Sequence, residues 1–178
     1  MARALVIIDI QNDYFPGGEC ELVGPEQAAE NAALVLAGFR AQGDPVFHMQ
    51  HVWEGDDAAF FRPGTHGVEI NEAVAPLAGE PVLTKAFPNS FIRTDLEQRL
   101  RGAGAEELVV CGMMTSMCVD ATVRAAADLG FACTVVHDAC AAPDLEFEGT
   151  PIPAAQVHGA FLAALGDGYA EIRSAADV

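Results

Sequence analysis

Positive charge is the scarcest feature of this sequence. Its 178 residues hold 9 Lys and Arg against 26 Asp and Glu, a formal net charge of −17 at pH 7. Nucleic acid and anionic membrane surfaces both need a basic footprint, so neither is expected as a partner. Long apolar runs are missing too. No stretch approaches the roughly 18 uncharged apolar residues that span a bilayer. The short run after Arg3 ends at Asp9 and lacks the longer apolar core and cleavage site of a signal peptide. Five cysteines, at 20, 111, 118, 133 and 140, form no C-x-x-C pair and no zinc-ligand spacing, which points to free thiols in a reduced, cytoplasmic setting. Repeats, linkers and composition breaks are also absent, so one domain over 1–178 is expected.

What is present is core-forming material. Apolar residues make up 51% and charged residues 20%, which excludes disorder. Short, nearly continuous apolar runs lie at 4–8, 45–47, 81–83, 108–111 and 132–136, with a weaker one at 169–172. Continuous rather than alternating hydrophobicity marks strands covered on both faces, the habit of parallel sheets. Helical patterns fill the gaps at 25–42, 94–101, 116–129 and 153–165, with Gly43, Gly102, Gly130 and Gly166 as stops. Strand and helix in alternation predict a doubly wound α/β sheet with helices on both faces. The longest irregular stretch, 53–67, contains Gly55, Pro63, Gly64 and Gly67 and is long enough to form a pocket.

In such sheets ligands sit beyond the carboxyl ends of the strands. Asp9 follows the first run, His48 and His51 the second, Lys85 the third, Gly112 to Cys118 the fourth, and His137 and Asp138 the fifth. Cys118 falls in the first turn of a predicted helix, which Thr115 or Ser116 can cap. Free amide groups and the helix dipole there favour a thiolate and can hold an oxyanion. Asp9, directly after five apolar residues, is costly unless paired and is a candidate general base. Lys85 is the chain's one lysine. Beside Asp9 and Cys118 it would hold both in their charged forms.

The stretches 5–15 (LVIIDIQNDYF), Thr84-Lys85 with Asn89-Ser90-Phe91, and 112–126 (GMMTSMCVDATVRAA) resemble those of the isochorismatase-like cysteine hydrolases. That superfamily includes nicotinamidases, N-carbamoylsarcosine amidases and ureidoacrylate-type hydrolases. The resemblance runs from residue 4 to about 165, with three separated motifs in order. It implies a mostly parallel six-stranded sheet and a catalytic triad of Asp9, Lys85 and Cys118. It also implies a cis peptide between Met113 and Met114, which aims the Met114 and Cys118 N–H groups at one point, the oxyanion hole. The implied activity is hydrolysis of a C–N bond in a small amide, carbamoyl or ureido compound, in a homodimer or homotetramer without a cofactor. Relatives without the cysteine cleave a vinyl ether, which makes that reaction the alternative. A flavodoxin-like thiol redox sensor is the non-enzymatic one.

Nicotinamidases of the superfamily bind a divalent ion through an Asp-x-His motif after strand two. This chain has Phe47-His48-Met49-Gln50-His51-Val52-Trp53 there, without that motif. His48 and His51, three apart on a strand, point to opposite faces. His66 lies in the long loop. No catalytic metal is expected, and His48 or His51 is expected to be a hydrogen-bonded strand-end residue. Phe15, Trp53, Phe91 and Met114 are the candidate substrate-binding residues, joined by Tyr14, Phe60, Phe61 and Met117. Arg62 is read as an offset to the acidic surface rather than a substrate ligand.

Overall fold

The computed structural model describes residues 2–55 and 57–178; Met1 and Asp56, the latter within the long loop, lie outside the described residues. The regular elements are β1 (Arg3–Ile8), α1 (Pro25–Gln42), β2 (Val46–His51), β3 (Val82–Lys85), α2 (Leu96–Gly102), β4 (Glu107–Met113), α3 (Asp120–Asp128), β5 (Ala132–Ala141), β6 (Leu145–Phe147), β7 (Thr150–Ile152), α4 (Ala154–Gly166) and β8 (Glu171–Arg173). Six strands form one sheet in the order β3-β2-β1-β4-β5-β8, with every neighbouring pair parallel. The expected doubly wound α/β sheet with helices on both faces is what the chain forms.

The continuous apolar runs are buried on both sides. Leu5 and Ile7 of β1 pack with Ala28, Ala32, Leu36 and Phe39 of α1. Ala4, Val6 and Ile8 face the opposite cluster, with Leu96 and Leu100 of α2, Val123 and Ala126 of α3, and Leu162 and Leu165 of α4. The spacing of the apolar residues on α1 gives that helix a single buried stripe. Burial of a side chain such as Phe39, 1% exposed, contributes about 1.5–3 kcal/mol. Among the described residues no helix is long and apolar enough to cross a membrane.

Three elements depart from the sequence pattern. The helix expected over 116–129 begins instead with a π-helical turn, Thr115–Val119, in which the Val119 N–H reaches the Met114 carbonyl at 3.2 Å. No side chain caps it. Thr115 Oγ1 instead donates to the Ala141 carbonyl at 3.1 Å and lies 2.9 Å from His158 Nδ1, while Ser116 Oγ is buried without a partner. Strand β5 runs on past 136 through His137 and Asp138, with its register against β4 shifting between Val110 and Gly112. The short antiparallel hairpin β6–β7 turns at Glu148-Gly149, both at positive φ (49° and 76°), the conformation of a two-residue hairpin loop.

The chain order places a switch at the centre. From β1 the chain steps outward through β2 and β3, then returns to β4 on the other side of β1 and steps outward through β5 and β8. The carboxyl ends of β1 and β4 therefore border the crevice where such sheets bind ligands. Gly112 allows the two strand ends to lie that close. Its φ is 133°, and a Cβ there would collide with the backbone of Ile8.

Candidate active site

Asp9, Lys85 and Cys118 meet at this crevice. Lys85 Nζ donates to Asp9 Oδ2 at 2.6 Å, to His51 Nδ1 at 3.0 Å and to the Phe87 carbonyl at 3.1 Å. An ammonium has three N–H donors, and each finds one acceptor. A carboxylate oxygen of Asp9, a ring nitrogen of His51 and the sulfur of Cys118 lie within 4.8 Å of one another. Cys118 Sγ is 3.9 Å from His51 Nδ1, and Asp9 Oδ2 is 3.8 Å from it. Asp9 leaves β1 at φ 49°, a left-handed conformation that costs a residue with a side chain about 1 kcal/mol. The register His51↔Lys85 sets the histidine and the lysine side by side at the ends of β2 and β3. The Met113–Met114 peptide is cis.

Burial controls the electrostatics. Desolvation raises the Asp9 carboxyl above its ordinary value, against the opposing pull of Lys85. Desolvation, reinforced by the Asp9 charge, pushes the Cys118 thiol well up. His51 is lowered to about 3, first by burial and then by the Lys85 charge, so its ring is neutral. These directions run against the expectation that Lys85 holds Cys118 as a resting thiolate. Cys118 is only 3% exposed, and the loss of water outweighs the pull of Lys85. The resting pair is a thiol beside a carboxylate that is a stronger base than usual.

His51 is the member that sequence reasoning missed. It is the hydrogen-bonded strand-end residue the sequence predicts, but nothing in the sequence signals that its ring turns toward Lys85. His48 follows the same reading. It points away and pairs through Nε2 with Glu80 Oε2 at 3.0 Å, and Glu80 in turn binds Arg40. Gln11 was also missed. Buried at 0% exposure, it accepts from the His51 N–H at 2.7 Å and donates to the carbonyls of His51 and Val68 at 2.9 and 2.8 Å. It ties the end of β2 to the loop that follows. Asp13 anchors the same loop by accepting from the Phe61 N–H at 2.6 Å. Gly67 stands where a Cβ would run into that carboxylate.

The expected substrate-binding residues divide. Trp53 lies against the His51 ring, centroids 4.7 Å apart, and borders a cavity of about 430 Å³ with Val52 and Arg62. Met114 leads into the π-turn that carries Cys118. Phe15 borders a separate, more polar cavity of about 390 Å³ with Asn12, Arg62 and His66. Phe91 stacks on Phe131, centroids 6.5 Å apart, at the edge of the α2–α3 core. A further cavity of about 190 Å³ lies at the end of β3, bordered by Thr84, Lys85, Phe87 and Arg93, without exposing the Lys85 side chain. Arg62 meets Glu19 at 3.4 Å, as an offset to acidic charge does.

A family model described as the isochorismatase domain matches residues 3–165. The chain belongs to the isochorismatase family. It is 55% identical over 174 residues to the uncharacterized isochorismatase family protein YddQ of Bacillus subtilis, covering 98% of this chain and 97% of that one. A solved structure from Oleispira antarctica, assigned to the isochorismatase hydrolases, superposes with a TM-score of 0.96 at 51% identity, covering 99% of this chain and 95% of that chain. Relatives within the isochorismatase family include a streptothricin hydrolase of Streptomyces noursei, 36% identical and spanned over 60% of its length with 93% of this chain covered. Also similar are a maleamate amidohydrolase of Pseudomonas putida, 32% identical over 76% of this chain and 70% of that one, and a ureidoacrylate amidohydrolase of Azorhizobium caulinodans, 25% identical over 76% of this chain and 74% of that one. The chain is therefore an isochorismatase-family hydrolase.

Metal binding, a property of some members of the isochorismatase superfamily, can be tested against the residues present. Asp9, His51 and Cys118 are close enough to share an ion. Lys85 already lies between two of them, donating to Asp9 Oδ2 and to His51 Nδ1. A divalent cation would have to displace an ammonium whose three hydrogen bonds are all made, or sit beside its charge. The group does not fit a resident metal.

Three buried polar atoms near this site have no partner: Asp9 Oδ1, His51 Nε2 and Ser116 Oγ. An unmade buried hydrogen bond costs about 1–3 kcal/mol.

Proposed function

We propose that this chain is a cysteine-dependent hydrolase that cleaves the C–N bond of a small amide, carbamoyl or ureido compound through a Cys118 thioester. The observation that carries this reading is the sealed Lys85–Asp9 pair, 2.6 Å between Nζ and Oδ2, with the Cys118 thiol beside it. Amidohydrolases among the relatives support the same substrate class.

Asp9, raised by burial, takes the Cys118 proton as the sulfur attacks the carbonyl carbon. Lys85 keeps the carboxylate in place and offsets negative charge as it develops. The backbone N–H groups of Met114 and Cys118 hold the oxyanion. Asp9 then gives the proton to the departing nitrogen and the C–N bond breaks, leaving the acyl group on sulfur. A water that loses its proton to Asp9 hydrolyses the thioester and frees the acid and the thiol. Trp53 and Met114 are assigned to substrate binding, while Phe15 faces the separate cavity and Phe91 packs on Phe131. A small-molecule substrate, a cytoplasmic setting with reduced thiols and a homodimer or homotetramer complete the proposal.

A peroxide-sensing role finds less support, since sensors need an exposed thiol of low pKa and burial pushes Cys118 the other way. The deciding experiment measures ammonia release across amides, carbamoyl amino acids and ureido acids, with mass spectrometry for an acyl adduct on Cys118. Turnover with a Cys118 adduct is expected. Turnover that persists in Cys118→Ala would overturn the covalent route in favour of ether-hydrolase-type chemistry, and no turnover of any compound would overturn the proposal.

A further inference from the structure

The proposed chemistry gives His51 no task, yet its ring is held by the same ammonium that holds Asp9. Lys85 donates to Nδ1 at 3.0 Å, so Nδ1 must offer its lone pair. A neutral imidazole that accepts at one nitrogen carries its proton on the other. The Lys85 bond therefore fixes the tautomer and leaves an N–H at Nε2, which is buried and has no acceptor. Burial and the Lys85 charge both disfavour the imidazolium, so the ring stays a single-proton donor. Gln11 fixes the backbone of the same residue from both sides, and Trp53 lies against the ring.

We infer that the His51 Nε2–H is a substrate contact, kept for an oxygen acceptor other than the scissile carbonyl. This rests on the proposed hydrolase reading, in which Met114 and Cys118 N–H groups hold the scissile oxygen and Asp9 serves the leaving nitrogen. The His51 donor then remains without a mate, as does the Ser116 hydroxyl, and a compound that supplies an acceptor to His51 carries a second oxygen next to the amide, as a carboxylate or second carbonyl. Amide acids and ureido acids have that oxygen; simple amides and alkylureas do not. Lys85 thus has two effects, pairing with Asp9 and selecting the form of His51 that reads the substrate.

The test compares matched compounds and two replacements. Maleamate is set against crotonamide, and N-carbamoylglycine against N-ethylurea. The wild type is expected to prefer the acid of each pair by about tenfold or more in kcat/KM, the size of one hydrogen bond to a charged group. His51→Asn places an amide oxygen near the former Nδ1, which satisfies Lys85, but has nothing at Nε2; it is expected to erase the preference. His51→Gln places an amide nitrogen near the former Nε2 and is expected to retain part of the preference. A preference unchanged in His51→Asn, or lost more in His51→Gln than in His51→Asn, would assign His51 to holding Lys85 alone and overturn the inference. Nitrogen-15 NMR of the wild-type ring provides a measure independent of turnover. The Nε2–H tautomer is expected across neutral pH, and a proton on Nδ1 overturns the inference even if no compound is hydrolysed. Failure of every compound with the Nε2–H tautomer present overturns the hydrolase reading instead.

Discussion

Lys85 and Asp9 form a salt bridge of 2.6 Å in which neither side chain is exposed to solvent. Lys85 ends one strand and Asp9 follows another, 76 positions apart in the chain, and each makes the other's burial tolerable.

Removing one partner should therefore be worse than removing both. Lys85→Met leaves a buried carboxylate without its cation, and the expected loss is about 3–5 kcal/mol in urea unfolding. The double variant Asp9→Asn/Lys85→Met should recover a substantial part of that stability while remaining inactive. An additive double variant would show that the two groups are not coupled.

Kinetics should separate the roles of the site residues. Cys118→Ala and Asp9→Asn are each expected to reduce turnover at least about a hundredfold, the usual loss of a nucleophile or proton carrier. Cys118→Ala should keep its thermal midpoint close to wild type, since a small buried side chain replaces another. A Cys118→Ala enzyme at full rate would point to the ether-cleaving mechanism.

Gln11→Ala should disturb the site without touching the triad. Two backbone groups, the His51 N–H and carbonyl, lose their partner, while the Val68 carbonyl keeps the Gln50 Nε2 donor at 2.9 Å. Each orphaned group costs about 1–3 kcal/mol, so a lower urea midpoint and a higher KM are expected together. Wild-type stability and KM would show that water takes over this role.

The acid limb of stability should carry two signatures. His51 is held at about 3 in the folded chain against 6.5 when free, so its neutral form favours the folded state above pH 6.5, and that stability is lost as pH falls toward 3. The Arg40 hydrogen bond holds the Glu80 carboxyl at about 2 against 4.5, so its contribution is present above pH 4.5 and lost between 4.5 and 2. Denaturant unfolding of His51→Gln should flatten the first window, and that of Glu80→Gln the second. Unchanged slopes in both variants would contradict these shifts.

Metal removal should be without effect. Lys85 already occupies the Nδ1 lone pair of His51 and an oxygen of Asp9. Dialysis against a chelator is expected to leave turnover unchanged, whereas a loss restored by a divalent ion would mean that the ammonium can be displaced.

Much of this architecture is legible from the sequence because the signals are local. The run before Asp9 and the pattern over 25–42 mark β1 and α1 through residues adjacent in the chain. Asp9, Lys85 and Cys118 stand out because each sets chemistry at the end of an apolar run. What escapes depends on distant partners. The extension of β5 through His137 and Asp138 is hidden by two polar residues and a shift in register. The Glu148-Gly149 turn was available as a hairpin signal, but its flanking strands are three residues each and exposed, giving little pattern. The π-turn depends on the Val119–Met114 bond, and no side-chain preference announces it. The direction of the Cys118 shift depends on how deeply the fold buries that sulfur, a quantity that spacing does not contain.

The chain's one ε-amino group belongs to Lys85, and the fold seals it completely. Amine-reactive labels therefore have no lysine to attack on the folded exterior. Acylation of Lys85 requires the sheet ends to part, so its rate under mild conditions works as an internal clock for how often this protein opens at its own centre.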